Sequence, residues 1–378
     1  MNKKKILTII LIILFIGFVA ERINTNKTNV YEEQNKNSIK KNKNMLSMNL
    51  EQTAGAGDYK TVTQSKWPTE GYKFNTELSR CENGSEISWD DTKKAVIMQG
   101  NVSDKCYVYF DLIPSMTLAE YVISQYTGVQ GENCIYYHNS SLENGAGDNS
   151  YRYAGASESV NNYICLGSDE ATCPDASLFR IIGVFGDQVK VIRAKSVGDQ
   201  PWHSSLVNKS WSSSSLNTYL NGEYLTSLGT LTDKIATTAW KVEGGYTTNL
   251  YDVPKTAYQY EVGSSASSTT NDDKIGLMYV SDYGFATDSS EWTKKLGSYK
   301  SSSKNWLYLG SIEWTISRSS DNLYSAFYVK SGGVYSTYVT ESYVVRPSFN
   351  LESSVKYVSG SGTIENPIRI NWCTVDIL

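Results

Sequence analysis

Residues 177–198, SLFRIIGVFGDQVKVIRAKSVG, fit one local structure. Phe179, Ile181 and Val184 on one arm and Val189, Val191 and Ile192 on the other flank Gly186 and Asp187, the turn chemistry that joins two antiparallel strands. Short runs of this kind recur at KIATTAWKV (234–242), KIGLMYVS (274–281) and EWTIS (313–317), with long Ser-rich loops between them. In 321–347, DNLYSAFYVKSGGVYSTYVTESYVVRP, a hairpin broken at the Gly-Gly pair is followed by a third strand. The fold class is therefore α+β with β dominant.

Helical spacing is confined to a few places. SSSSLNTYLNGEYLTSLG reads as a helix capped by a Ser in 212–215, with Leu216, Tyr219 and Leu220 on one face and an end near Gly222; a second short helix covers 223–228. SMTLAEYVISQY, with Leu118, Tyr121, Val122 and Tyr126 on one face, predicts a helix joining two modules. Ahead of it, 59–112 reads as a small β module built on AVIM and CYVYF, with Gly, Asn and Asp turns between the runs.

The N-terminus gives an address. Lys3, Lys4 and Lys5 precede an unbroken apolar run, Ile6 to Ala20, and then Glu21 and Arg22, the pattern of an export signal. Fifteen residues of helix span about 22 Å against a hydrocarbon core of about 30 Å, and flanking Lys side chains snorkel to reduce the gap. Phe18 spoils a small-x-small cleavage site, so the segment reads as an uncleaved signal anchor, with a cleaved signal peptide as the alternative. The Asn- and Lys-rich stretch 22–58 is then a disordered tether.

Cysteine usage agrees with export. Six cysteines, none in a C-x-x-C pair, point to structural disulfides. Local pairing gives Cys81 with Cys106 and Cys165 with Cys173, leaving Cys134 with Cys373 by elimination or as two thiols. The domain order is 1–21 signal anchor or signal peptide, 22–58 tether, 59–112 β module, 113–148 linker with one helix, 149–370 main domain and 371–378 tail.

Charge narrows the partners. Of the formal net charge of −4, residues 1–45 carry a net +6, so the remainder carries −10 and lacks the clustered positive face that nucleic acid requires. The two histidines, His138 and His203, lie in separate polar segments and read as solvated loop positions. No nucleophile elbow, zincin, phosphate-loop or dinucleotide motif is present, and no cofactor is implied. Asp282, Glu291, Glu313 and Asp321 are the carboxylates that a glycan hydrolase would draw upon, since such an enzyme needs two of them about 5 to 9.5 Å apart. A calcium site has oxygen ligands available but no Asp-x-Asp-x-Asp-Gly loop.

The series LFRIIGVFGDQVKVIRA, SLNTYLNGEYLTSLG, IGLMYVSDYGFA, VVRPSFNL and VKYVSGSGTIENPIRI, together with CENGSEISWDD and SDKCYVYFD, resembles a family of uncharacterised exported proteins of low-GC Gram-positive gut bacteria. Their C-terminal domain is similar to the C-type-lectin-like fold, in the branch of formylglycine-generating enzymes and retroelement variable proteins. That resemblance implies a C-type-lectin-like domain over 149–370 whose last hairpin faces a ligand, with Arg346 buried to pin the final strand. It also implies a diversified set of exposed residues in RSSDNLY and VYSTYVTESY. The cysteine chemistry of the enzymes does not carry over, because Cys373 is the only late cysteine.

Residue chemistry points the same way. Tyr gives a large amphipathic face with few rotatable bonds, and Ser or Asn gives adaptable hydrogen bonding, the pairing that antibody loops use. Trp306, Arg318, Asp321, Asn322, Tyr324, Tyr335, Tyr338 and Tyr343 are the candidate contacts for an extracellular glycan or protein, while Trp314 and Phe327 read as core. The expected function is a membrane-tethered, adhesin-like binding protein and not an enzyme. The alternatives are a cell-envelope glycan hydrolase and a purely structural envelope component.

Overall fold

The computed structural model describes residues 46–371 except 54, 64–65, 69–70, 102, 114, 208–209 and 301. The run Ile6 to Ala20, the tether up to residue 45 and Cys373 lie outside the described residues. Among the described residues no helix is long and apolar enough to cross a membrane. Strands dominate over short helices, and the chain divides into two compact units, Met1–Ser115 and Met116–Leu378.

The first unit contains β1 (Leu46–Glu51), β2 (Tyr59–Val62), β3 (Tyr72–Phe74), β4 (Arg80–Cys81), β5 (Glu86–Asp90), β6 (Ala95–Gln99) and β7 (Cys106–Leu112). β1 lies between β2 and a parallel β7, and β7 also pairs with β3 and β4. Leu46–Glu51, expected within the tether, is therefore a strand. Leu46, Met48 and Leu50 alternate with polar residues, and this period of two brings Met48 and Leu50 onto Phe74, Val96, Val108 and Phe110. Cys81 and Cys106 face one another in register across β4 and β7 and form a disulfide.

The second unit begins at Met116, well before residue 149. Its helix Leu118–Ser124 starts at a capping box in which Thr117 and Glu120 bond one another's backbone N–H, and it buries Leu118 and Val122 in this unit's core. It is thus an integral element of the unit and not a linker. The strands β8 (Ile135–Tyr137), β9 (Tyr151–Tyr153), β10 (Tyr163–Cys165), β11 (Leu178–Phe185) and β12 (Gln188–Arg193) follow, then β13 (Asp199–Pro201), β14 (Thr238–Lys241) and β15 (Thr270–Asp273). The last set is β16 (Glu313–Arg318), β17 (Ser325–Lys330), β18 (Gly333–Tyr338), β19 (Ser342–Val344) and β20 (Ser348–Leu351).

Two sheets organise the unit. One has the order β20-β12-β11-β9-β8, with β10 also on β11; the other has the order β13-β19-β16-β17-β18. The β11–β12 hairpin turns at Gly186 and Asp187, since Phe185 pairs with Gln188. Gly183 lies at a bulge in β11, where a Cβ would come within 2.2 Å of the Tyr151 carbonyl oxygen, so only glycine lets β9 approach this closely. The Cys165–Cys173 disulfide closes the loop between β10 and β11.

Two local expectations change. KIGLMYVS makes a single bridge, Gly276 to Ser348, rather than a strand, because the Trp240 ring lies against Gly276 and Val280 already begins the helix Val280–Phe285. The helix after Ser214 does not stop at Gly222: Ser215–Tyr219 continues through a π turn, Leu220–Tyr224, into Leu225–Ser227. Ser214 caps it by accepting the Asn217 N–H at 3.0 Å.

Candidate functional site

The second sheet carries an aromatic row on one face. Alternation along β17 turns Phe327 and Val329 inward and leaves Tyr328 half-buried on the other side. Tyr328 pairs with Tyr335 of β18 on one flank and with Trp314 of β16 on the other. Tyr343 of β19 completes the row, its ring 4.8 Å from Trp314 and 5.0 Å from Tyr328, and Gln200 of β13 stands opposite it in register. Trp314 is fully buried and donates its indole N–H to the Gln200 carbonyl at 3.0 Å. It forms the floor, and the tyrosines form the surface.

The hairpin presenting these rings is stiff. Ser331 and Gly332 both have positive φ, 50° and 84°, the pattern of a tight two-residue turn. Gly332 also packs against the Lys300 backbone, where a Cβ would meet the carbonyl carbon at 3.2 Å, and its carbonyl accepts from Tyr283 Oη at 2.8 Å. The outer edge of β18 is closed as well. Ser336 N donates to Tyr251 Oη at 2.8 Å, so this edge is not open to an incoming strand at that position.

Two of the phenols, Tyr328 and Tyr343, are held above their usual range. Burial pushes Tyr328 up, with Tyr343 adding to it, and burial and then Glu341 push Tyr343 up. The hydroxyls are therefore hydrogen-bond donors as well as acceptors at neutral pH.

The residues expected to bind divide sharply. Tyr335, Tyr324 and Tyr338 are exposed, at 38%, 46% and 53%, and Tyr343 is half-buried in the row. Tyr338 pairs with Ser325, so it lies on the strand face opposite to Tyr335. Asp321 and Asn322 are exposed but shape their own loop: Asp321 accepts from Ser319 Oγ and Thr247 Oγ1 at 2.5 and 2.7 Å, and Asn322 Oδ1 accepts from Tyr324 N. Burial pushes the Asp321 carboxyl up, but these hydrogen bonds outweigh it and hold the group below its usual range.

Two candidates are out of reach of a ligand. Trp306 is buried because its ring packs 4.7 Å from the Arg180 guanidinium and its N–H is taken by the Tyr153 carbonyl at 2.8 Å. Arg318 is buried at the end of β16, 3.7 Å from Glu243. Arg346 is buried, held by Glu313. Cys134 forms no disulfide with a described cysteine. Tyr328, central to the row, was not among the expected contacts, although its alternation with Phe327 and Val329 places it opposite to the core.

The four carboxylates go to separate partners. Asp282 faces Lys190 and Arg152, Glu313 faces Arg346, Glu291 pairs with Lys294 and Lys304 near the surface, and Asp321 holds its loop. Among the described residues no three His, Cys, Asp or Glu side chains cluster as a metal site. Both histidines are buried rather than solvated. His138 sits between Phe285 and Trp292, at 4.8 and 5.1 Å, and accepts the Ala146 N–H; His203 accepts the N–H of Ser204 and Ser215. In both cases the ring serves as a local cap for backbone donors, a role invisible in a polar segment read alone.

A family model described as a domain of unknown function (DUF6273) matches residues 186–353. The match opens in the β11–β12 turn, closes just after β20 and takes in the aromatic row. No curated protein and no solved structure matches the chain.

Proposed function

We propose that the chain is an exported, membrane-tethered binding protein, adhesin-like in action, that takes an extracellular ligand on the row Gln200, Tyr343, Trp314, Tyr328 and Tyr335. The observation carrying this reading is the row itself, the half-buried rings of Tyr343 and Tyr328 on the buried Trp314 indole with the exposed ring of Tyr335 beside Tyr328, on a sheet whose turn is fixed. Rings set in advance lose little entropy on binding, and each offers a flat apolar face with a donor at its tip. A glycan suits such a surface best, with sugar faces on the rings and hydroxyls on the phenols and Thr337. The exported location is supported by the basic and apolar N-terminal sequence and by the two disulfides.

We read the second unit as C-type-lectin-like, with the hairpin β17–β18 as its ligand-facing element. The buried Arg346, between β19 and β20, supports this reading, as does the contrast between exposed Asn322, Tyr324 and Tyr338 and buried Phe327. On that reading the exposed positions are free to vary while the scaffold stays fixed.

The test is a glycan array and a pull-down from host mucosa with the purified chain, alongside Tyr328→Ala and Tyr335→Ala. Saturable retention that both substitutions weaken is expected. Retention of a protein instead of a glycan changes the ligand class; retention unchanged by both substitutions, or turnover of a glycan, overturns the reading.

A further inference from the structure

Three charged side chains meet in the interior of the second unit, with no part in the aromatic row. Lys190 comes from β12, Asp282 from the first turn of the helix Val280–Phe285, and Glu261 from the end of the helix Pro254–Glu261. They are 4%, 3% and 2% exposed. Lys190 Nζ lies 2.5 Å from Asp282 Oδ2. The rings of Tyr279, Trp240 and Phe185 stand 4.4, 5.1 and 5.8 Å from that nitrogen. Glu261 accepts the N–H of Val280 and of Ser281, each at 2.9 Å, while Asp282 Oδ2 accepts that of Tyr279 at 2.9 Å. The two carboxyls thus occupy consecutive peptide donors.

The charges do not balance as simple ion pairs. Arg152 is held by Asp148 at 2.6 Å and lies 3.6 Å from Asp282 Oδ1. Two cations, Arg152 and Lys190, therefore face three acids, Asp148, Asp282 and Glu261. Burial resolves the excess by pushing Glu261 up to about 7, and burial also pulls the Lys190 amine down. A desolvated amine that gives up its proton is a nucleophile, and a carboxyl in contact with it can serve as its acyl donor.

We propose that Lys190 and Asp282 condense into an amide that ties β12 to the helix Val280–Phe285. Nζ becomes neutral by passing one proton to Oδ2 across the 2.5 Å contact. The neutral Nζ attacks Asp282 Cγ and a C–N bond forms. After the attack a second nitrogen proton follows to the same oxygen, the C–Oδ2 bond breaks, and Oδ2 leaves as water. One ammonium and one carboxylate become one amide and one water, so no oxidant, reductant or cofactor is needed. Oδ1 remains as the amide oxygen on the Arg152 side, where the guanidinium stabilises the charge of the tetrahedral intermediate. The ring-lined surroundings keep out the water that hydrolysis would require.

The experiment is peptide mapping of the purified full chain after reduction and unfolding. The expected product is a branched peptide joining the segments that carry Lys190 and Asp282, lighter than the two together by one water. Asp282→Ala, checked for a native circular dichroism spectrum, is expected to give two linear peptides. Full recovery of linear Lys190 and Asp282 peptides from the unsubstituted chain overturns the proposal without requiring any variant to fold.

Discussion

Arg346 grips Glu313 with two nitrogens, Nε to Oε1 at 2.7 Å and Nη2 to Oε2 at 3.0 Å, and both side chains are sealed from solvent. Nη2 also bonds the Leu307 carbonyl. Glu313 begins β16 on the face away from the aromatic row, so this fork ties the sheet to the segment before it. Arg346→Ala leaves a buried carboxylate without its partner, a loss of about 3–5 kcal/mol. The double substitution Arg346→Met with Glu313→Leu removes both charges and is expected to recover much of that loss. Urea midpoints of the three proteins check this; equal loss in the single and double variants would count against the pair.

On the opposite face of the sheet, floor and surface are expected to respond differently. Trp314→Ala opens a cavity beneath Tyr328 and Tyr343 and is expected to cost about 3–5 kcal/mol of stability. Tyr335→Ala removes a ring that is already 38% exposed, so stability is expected to change by no more than about 0.5 kcal/mol. Ligand retention reverses the emphasis, with Tyr335→Ala weakening binding by about tenfold, equivalent to about 1.4 kcal/mol. Unfolding curves and a binding isotherm on the same preparations separate the two effects.

How far the sequence reveals this arrangement differs between elements. The β11–β12 hairpin and the two described disulfides are legible because turn chemistry and short cysteine spacing act locally. β1 was hidden by the Asn- and Lys-rich run before it, although its alternation was in plain view. Trp306 and Arg318 looked like contacts because type and neighbourhood in the chain do not reveal a distant partner: Arg180 lies 126 residues from Trp306. The same holds for Lys190 and Asp282, 92 residues apart, which only the assembled sheets and helix bring together.

The two disulfides are expected to stabilise unequally. On the chain-entropy model the separation of 25 between Cys81 and Cys106 corresponds to about 3.5 kcal/mol. The separation of 8 between Cys165 and Cys173 corresponds to about 2.5 kcal/mol. The first also serves a smaller core, that of Met48, Leu50, Phe74, Val96, Val108 and Phe110. Cys81→Ala with Cys106→Ala is therefore expected to unfold the first unit at markedly lower urea, seen through Trp89, while the Cys165→Ala, Cys173→Ala pair acts less. Protease sensitivity mapped to each unit checks the order.

Stability is expected to depend on pH through two buried groups of opposite sign. Burial pushes Glu261 from 4.5 to about 7, against the N–H donors of Ser281 and Val280 and with Asp282 adding to it. The folded chain therefore keeps a proton that the unfolded chain releases above pH 4.5. This contribution, about 3 kcal/mol, is complete below 4.5 and is lost as pH rises through about 7. His138 behaves oppositely. Burial, and then Arg152, holds it well below 6.5 despite Asp148, so the unfolded chain takes up a proton that the folded chain refuses, and stability falls as pH drops below 6.5. Between 4.5 and 6.5 the two slopes oppose one another. Glu261→Gln removes the first and exposes the second, so its stability is expected to be level above pH 6.5 and to decline only on acidification. Urea midpoints from about pH 5 to about pH 8 give the slope directly; a variant that retains the parent's loss towards alkaline pH would show that Glu261 is not its source.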